Sequence, residues 1–236
     1  MSSALFSDRP DSHIHSIGDV LQTVKALNLR QYDYGRIRRE EKLGEGETFI
    51  VHKCGLRNPD GRELWLAIKH LKISSSPDDS TYLRRLKSVI LELRIMRHLP
   101  LRSHPSITEV FGYGWHRSNG DPTEDSSRAQ HQIMPYLLVP YATHGTFRDY
   151  LRSASSEISL QSKEILLGDI ASALTSLHLC GIVHGDVKLD NVLIFISWDR
   201  PSATIAKLTD FGHSIVIGND YQSGSKDSPR YTGTPP

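Results

Sequence analysis

From about Tyr34 the apolar and polar residues fall into short runs bounded by turn residues, which predicts β-strands over 35–43, 48–54 and 63–71. Gly44 and Gly46 mark the first turn and Asn58-Pro59-Asp60-Gly61 the second, so the three strands form an antiparallel meander. The period then changes. Leu83, Leu86, Val89, Ile90, Leu93 and Met96 recur at helical spacing after the start signals Asp78 and Asp79, predicting an amphipathic helix to about His98. Two more strands are expected at 107–115 and 133–139, separated by a polar, turn-rich loop. Beyond Val139 the spacing predicts helices at 146–153 and 160–179, the second closed by Gly181, and short strands at 182–183, 192–196 and 206–209. Near the N-terminus Val20, Leu21, Val24, Ala26 and Leu27 gather on one side of a short predicted helix over 17–29. The class is therefore α+β: an antiparallel sheet with one helix, followed by a mainly helical part, with no internal repeat.

Composition narrows the setting. A chain of 236 residues can bury a substantial core, as one large domain or two small lobes. Its net charge of +1 sets up no global field, so neither nucleic acid nor an acidic membrane is expected as a partner. Cys54 and Cys180 are too few for a disulfide framework, and MSSALFSDRPDSH has neither the basic nor the apolar region of a secretory signal. No apolar run approaches the ~20 residues that span a bilayer. The expectation is an intracellular protein, cytoplasmic or nuclear, with no membrane span.

The candidate chemistry lies in HGDVKLDN at 184–191 and TDFG at 209–212. Asp186 can accept the proton of an attacking hydroxyl, Lys188 can neutralise a moving phosphoryl group, and Asn191 with Asp210 offers the hard oxygen ligands that Mg²⁺ demands. Upstream, Glu92 is the only acid between Asp79 and Glu109. Helical geometry places it with Val89 and Met96, turned inward, where a carboxylate needs a cationic partner such as Lys69.

These motifs resemble the eukaryotic protein kinase family from about Ile37 to Pro236, and the resemblance implies a bilobal fold whose substrates are Mg-ATP and a protein. It implies an extension at 1–35, a sheet-rich N-lobe at 36–139, and the hinge with a partial C-lobe at 140–236. Leu43, Gly44, Gly46 and Val51 look like the glycine-rich loop, with Phe49 standing where the family has its third glycine. Ala67-Ile68-Lys69 resembles the segment whose lysine contacts the α- and β-phosphates and pairs with a helix carboxylate, here Glu92. Tyr136–Gly145 looks like the hinge: Val139 behind the adenine, Pro140 offering its carbonyl, Ala142 its N–H, with Val51, Ala67 and Leu193 sandwiching the base. By the same resemblance Asp186 is the catalytic base, and Asn191 and Asp210 hold Mg²⁺. Lys188 makes the pattern serine/threonine-type, and His184 stacks on Phe211 together with Met96 and Val110.

Gly185 stands where most kinases have an arginine that grips a phosphorylated activation loop. Activity is therefore expected to be independent of phosphorylation at Ser223, Ser225, Ser228, Tyr231 and Thr232. Gly233 and Thr234 resemble the start of the segment that receives the substrate residue. The chain stops before the family's Ala-Pro-Glu motif, which predicts a truncated C-lobe. The leading expectation is a serine/threonine kinase domain. The alternative is an ATP-binding pseudokinase or scaffold without efficient catalysis.

Overall fold

The structure, a computed structural model, describes residues 16–58, 60–72, 80–118, 132–153, 158–200 and 203–217. Outside the described residues lie the predicted helix signals Asp78 and Asp79, the loop at 119–131, the five phosphorylatable positions from Ser223 to Thr232, and Gly233 with Thr234. The chain divides into two compact units. One contains Lys87–Glu109 and the described residues from Ala142 onward, and the other contains the described residues up to Leu86 and Val110–Tyr141.

The second of these is built on a five-stranded antiparallel sheet: β1 (Ile37–Glu45), β2 (Phe49–Arg57), β3 (Glu63–Leu71), β4 (Gly112–Ser118) and β5 (Gln132–Pro140), in the order β1-β2-β3-β5-β4. Alternation along the strands gives the sheet two faces. Cys54, Leu56, Leu66, Ile68, Tyr136 and Leu138 form a buried cluster with Tyr32, and Tyr34, Ile37 and Phe111 pack against it. On the opposite parity of β3 lie Ala67 and Lys69, in register with Val139 and Leu137 of β5.

The expected first helix forms as α1 (Ile17–Ala26), started by a capping box in which the Ser16 side chain accepts from the Gly18 N–H and Asp19 accepts from the Ser16 N–H. It ends three residues earlier than expected, because Asn28 turns left-handed at φ 50°. The Asn28 and Leu29 N–H groups then donate to the Lys25 and Val24 carbonyls, closing a Schellman motif. The chain runs on to pair with the sheet: Tyr32 N–H donates to the Tyr113 carbonyl at 2.8 Å and Tyr113 N–H to that of Arg30 at 3.0 Å.

The strand expected from Ile107 begins only at Gly112. Ser106 and Thr108 already exchange backbone hydrogen bonds with Leu208, at 2.9 Å each, and those peptides cannot also join the sheet. Helix α2 (Ser80–Met96) begins in the sheet unit and ends in the other.

The other unit holds α3 (Phe147–Ser153), α4 (Leu160–Leu179), β6 (Ile182–Val183), β7 (Val192–Ile196), β8 (Thr204–Leu208) and β9 (Ile215–Val216). β7 and β8 form one antiparallel pair and β6 and β9 another. Helix α4 packs against β8. Leu166, Ala173 and Leu177 line its buried stripe, and Asp169 on that stripe is satisfied by two contacts from Arg200 (2.7 and 2.8 Å) and by the Ala206 N–H (3.0 Å). β9 was not among the strands expected from the sequence. Among the described residues no helix is long and apolar enough to cross a membrane.

His70 on β3 is buried beside His52 and His116, at ring separations of 5.7 and 4.9 Å, and burial, with His116, His52 and Arg39 adding to it, pushes its imidazole down to about 3. The folded chain keeps His70 neutral while the unfolded chain takes up a proton below about pH 6.5. Its contribution is therefore complete above that pH and is lost as pH falls towards 3, by up to about 1.4 kcal/mol per pH unit. Melting temperature between pH 7 and pH 5 should fall less steeply for His70→Leu than for the natural chain; parallel curves would refute the assignment.

Candidate active site

The β7–β8 hairpin brings the two polar motifs together. Val192 pairs with Leu208, so the residues just outside the hairpin, Asn191 and Thr209, face each other, and the Thr209 N–H donates to the Asn191 carbonyl at 3.0 Å. Asp210 follows at once, in the left-handed region at φ 64°, a strained position for any residue but glycine and one that aspartate tolerates better than most. The chain then turns through a short 3₁₀ segment, Phe211–His213, into β9.

Asp186, Lys188 and Asn191 form one cluster. The Asn191 Nδ2 donates to both the carbonyl and Oδ2 of Asp186, each at 2.9 Å, and Lys188 Nζ lies 2.8 Å from the same Oδ2. Asp186 is only 4% exposed. Burying a carboxylate costs several kcal/mol, and the ammonium and the amide offset it. His184 ties this loop to the next motif: its Nε2–H donates to the Thr209 carbonyl at 3.1 Å, Nδ1 faces the Asp186 N–H, and its ring lies 5.1 Å from that of Phe211. Burial lowers its pKa, favouring the neutral form that this hydrogen-bonding pattern requires. Its place is structural, and Met96 is as fully buried as His184 and Phe211.

In the same unit Glu92 is 1% exposed, on the buried face of α2 with Val89 and Met96. Ala142 shares a buried cluster with Phe195 and Ile205, against which Leu193 packs. Leu193 is further fixed by a bridge to Thr146. Arg148 on α3 grips Asp190 through two bonds, at 2.8 and 2.9 Å, and so holds the loop that carries Lys188 and Asn191. Sequence reasoning missed this clamp, which joins positions with no local pattern.

The sheet unit carries the remaining candidates. Gly44 and Val51 are register partners on β1 and β2, and Val51 is the partner of Lys69 on β3. Ala67 sits opposite Val139, and Pro140 ends β5. Leu43 is exposed. A Cβ on Gly44 or Gly46 would meet nothing within 4 Å, so open space adjoins the backbone there. Lys69 is buried, with its Nζ 4.3 Å from the centre of the Phe49 ring.

For a divalent ion the donor chemistry is suitable. With its amide nitrogen committed to Asp186, Asn191 has its oxygen left as the side-chain ligand, and Asp210 adds a carboxylate. Among the described residues no group of three or more His, Cys, Asp or Glu side chains could hold a metal. That set suits Mg²⁺, which keeps several waters and needs only one or two protein oxygens.

Residues 37–235 match the protein kinase domain family. The chain is 28% identical to human mitogen-activated protein kinase kinase kinase 4 over 88% of its own length and 11% of that protein. It is 34% identical to the probable serine/threonine-protein kinase gdt4 of Dictyostelium discoideum, over 82% of this chain and 10% of that one. It is also 27% identical to rat ephrin type-A receptor 6, over 81% and 20% respectively. The chain thus spans about a tenth of the length of the first two.

Gly185 has a backbone reason for being glycine. Its φ is 81°, and a Cβ there would collide with the carbonyl of His213. Gly185→Ala is expected to cost on the order of 1–3 kcal/mol, read as a lower urea midpoint. An unchanged midpoint would show that the left-handed turn is not required.

Proposed function

This chain belongs to the protein kinase domain family, and from that premise we propose that it transfers the γ-phosphoryl group of Mg-ATP to serine or threonine hydroxyls of a protein. The observation that carries the reading is the cluster of Asp186, Lys188 and Asn191, fixed by three contacts of 2.8–2.9 Å, with Asp210 following the residue hydrogen-bonded to Asn191. Asp186 accepts the proton of the attacking hydroxyl as oxygen bonds to phosphorus, while Lys188 balances charge on the phosphoryl group in transit. Asn191 and Asp210 would hold Mg²⁺, which, when bound, neutralises charge on the phosphates as the leaving oxygen departs. Lys69 would bind the α- and β-phosphates, and Glu92 is the carboxylate that the family resemblance assigns as that lysine's counter-charge. The family resemblance assigns Leu43, Gly44, Gly46, Val51, Ala67, Val139 and Pro140 of the sheet unit, and Ala142 and Leu193 of the other, to nucleotide contact.

Serine/threonine specificity is supported by Lys188, two residues beyond Asp186, and by the gdt4 relative, whose name states that activity. One observation favours a second reading, an ATP-binding module without efficient catalysis: the ring of Phe49 rests on Lys69.

Asp186→Asn should lower phosphoryl transfer to a generic protein such as casein by about 10²–10⁴-fold while leaving the Mg-ATP thermal shift in place. Equal transfer by both proteins would remove Asp186 from the chemistry, and ATP binding with no transfer by either would select the second reading. Acid hydrolysis of the labelled product should yield phosphoserine or phosphothreonine; phosphotyrosine alone would reassign the specificity.

A further inference from the structure

The turn from β1 to β2 is fastened down by contacts that its two glycines do not supply. The Gly46 N–H donates to the Phe49 carbonyl at 2.9 Å and the Lys72 N–H to the Thr48 carbonyl at 2.9 Å, closing the turn onto the end of β3. Both loop acids are tied to cations from outside the turn. Glu45 pairs with Lys42 at 2.6 Å and with Lys72, and Glu47 pairs with Arg84 of α2 at 2.5 Å. Phe49 is the one aromatic residue in the turn, and it is only 6% exposed. Its ring lies against the Lys69 ammonium, 4.3 Å from the ring centre, within the range of a cation–π attraction.

We infer that Phe49 is a positioning residue that occludes Lys69, so that polyphosphate reaches this lysine only after the ring moves away. The inference rests on the reading of Lys69 as a phosphate ligand and adds a built-in restraint to it. An ammonium against an aromatic face gives up part of that attraction when a phosphate oxygen takes the same side. The restraint acts through the phosphates alone: a nucleoside without phosphates has no use for Lys69, and its binding does not require the ring to move. The three acid–cation pairs set how firmly the turn is held, but each has a solvent-exposed carboxylate and is weak, and the ring–ammonium contact is the buried element of the latch.

The test compares the natural chain with Phe49→Gly and Phe49→Leu, measuring Mg-ATP and adenosine separately by isothermal titration calorimetry. Phe49→Gly should bind Mg-ATP about three- to thirty-fold more tightly, Phe49→Leu should fall between, and adenosine affinity should stay within twofold across all three. A merely structural role for Phe49 would shift both ligands together, and that result overturns the inference. Unaltered Mg-ATP affinity in Phe49→Gly, with adenosine still bound, overturns the restraint and leaves the kinase reading standing. Failure of all three proteins to bind either ligand overturns both.

Discussion

Both acceptor oxygens that hold the Asn191 amide belong to Asp186, its carbonyl and its carboxylate, and the rest of the candidate catalytic centre depends on that pairing. A carboxylate only 4% exposed stays ionised only where neighbouring dipoles and charges replace the water it has lost. Here an amide and an ammonium converge on one oxygen atom, Oδ2. Committing the amide nitrogen also orients the side chain, because a flipped Asn191 would turn its oxygen, itself an acceptor, towards the acceptor oxygens of Asp186. Fixing the Asp186 carboxylate thus also sets the direction of the Asn191 oxygen, with one set of bonds orienting both side chains.

That arrangement holds its position because it hangs from secondary structure rather than from a loose loop. The β7–β8 register sets Asn191 opposite Thr209, and the His184 ring closes the same circuit by donating to the Thr209 carbonyl. Phe211 fills the space beneath, fully buried. Asp210 accordingly tolerates a left-handed backbone worth about 1–3 kcal/mol of strain, because both of its flanks are held.

What the sequence made legible were features with a local period or a compact motif. All five strands of the sheet, α1 to α4 and the polar clusters at 184–191 and 209–212 were readable because side-chain alternation and turn residues announce them. What escaped were features made by backbone partners far apart in the chain. β9 exists because Ile215 and Val216 find Val183 and Ile182, and a three-residue β-branched run, Ile215 to Ile217, inside a polar stretch gives little signal. At Gly185 the sequence shows the absence of a charged latch, and the structure adds a backbone cause that no local pattern announces, the carbonyl of His213. The late start of β4 has the same origin, since Leu208 had already claimed the peptides at 106 and 108.

The same logic explains residues 16–36, whose role could not be read from their own composition. β4 is an edge strand, and an unpaired edge offers its backbone to any passing strand. Arg30 and Tyr32 take both backbone groups of Tyr113 there, while the Tyr32 ring stacks on Phe111 at 5.3 Å and its carbonyl accepts from the Tyr136 hydroxyl at 2.8 Å. So close an approach is open only to a strand with no side chains in the way. A Cβ on Gly112 would run into the Tyr32 ring and lie 2.7 Å from the Arg30 carbonyl, and one on Gly114 would run into the Tyr136 hydroxyl. The glycines at 112 and 114 and the tyrosine at 32 therefore form a single device whose parts lie far apart in the sequence. The segment before β1 is part of the sheet unit's fold because it covers an edge that the five strands alone leave open.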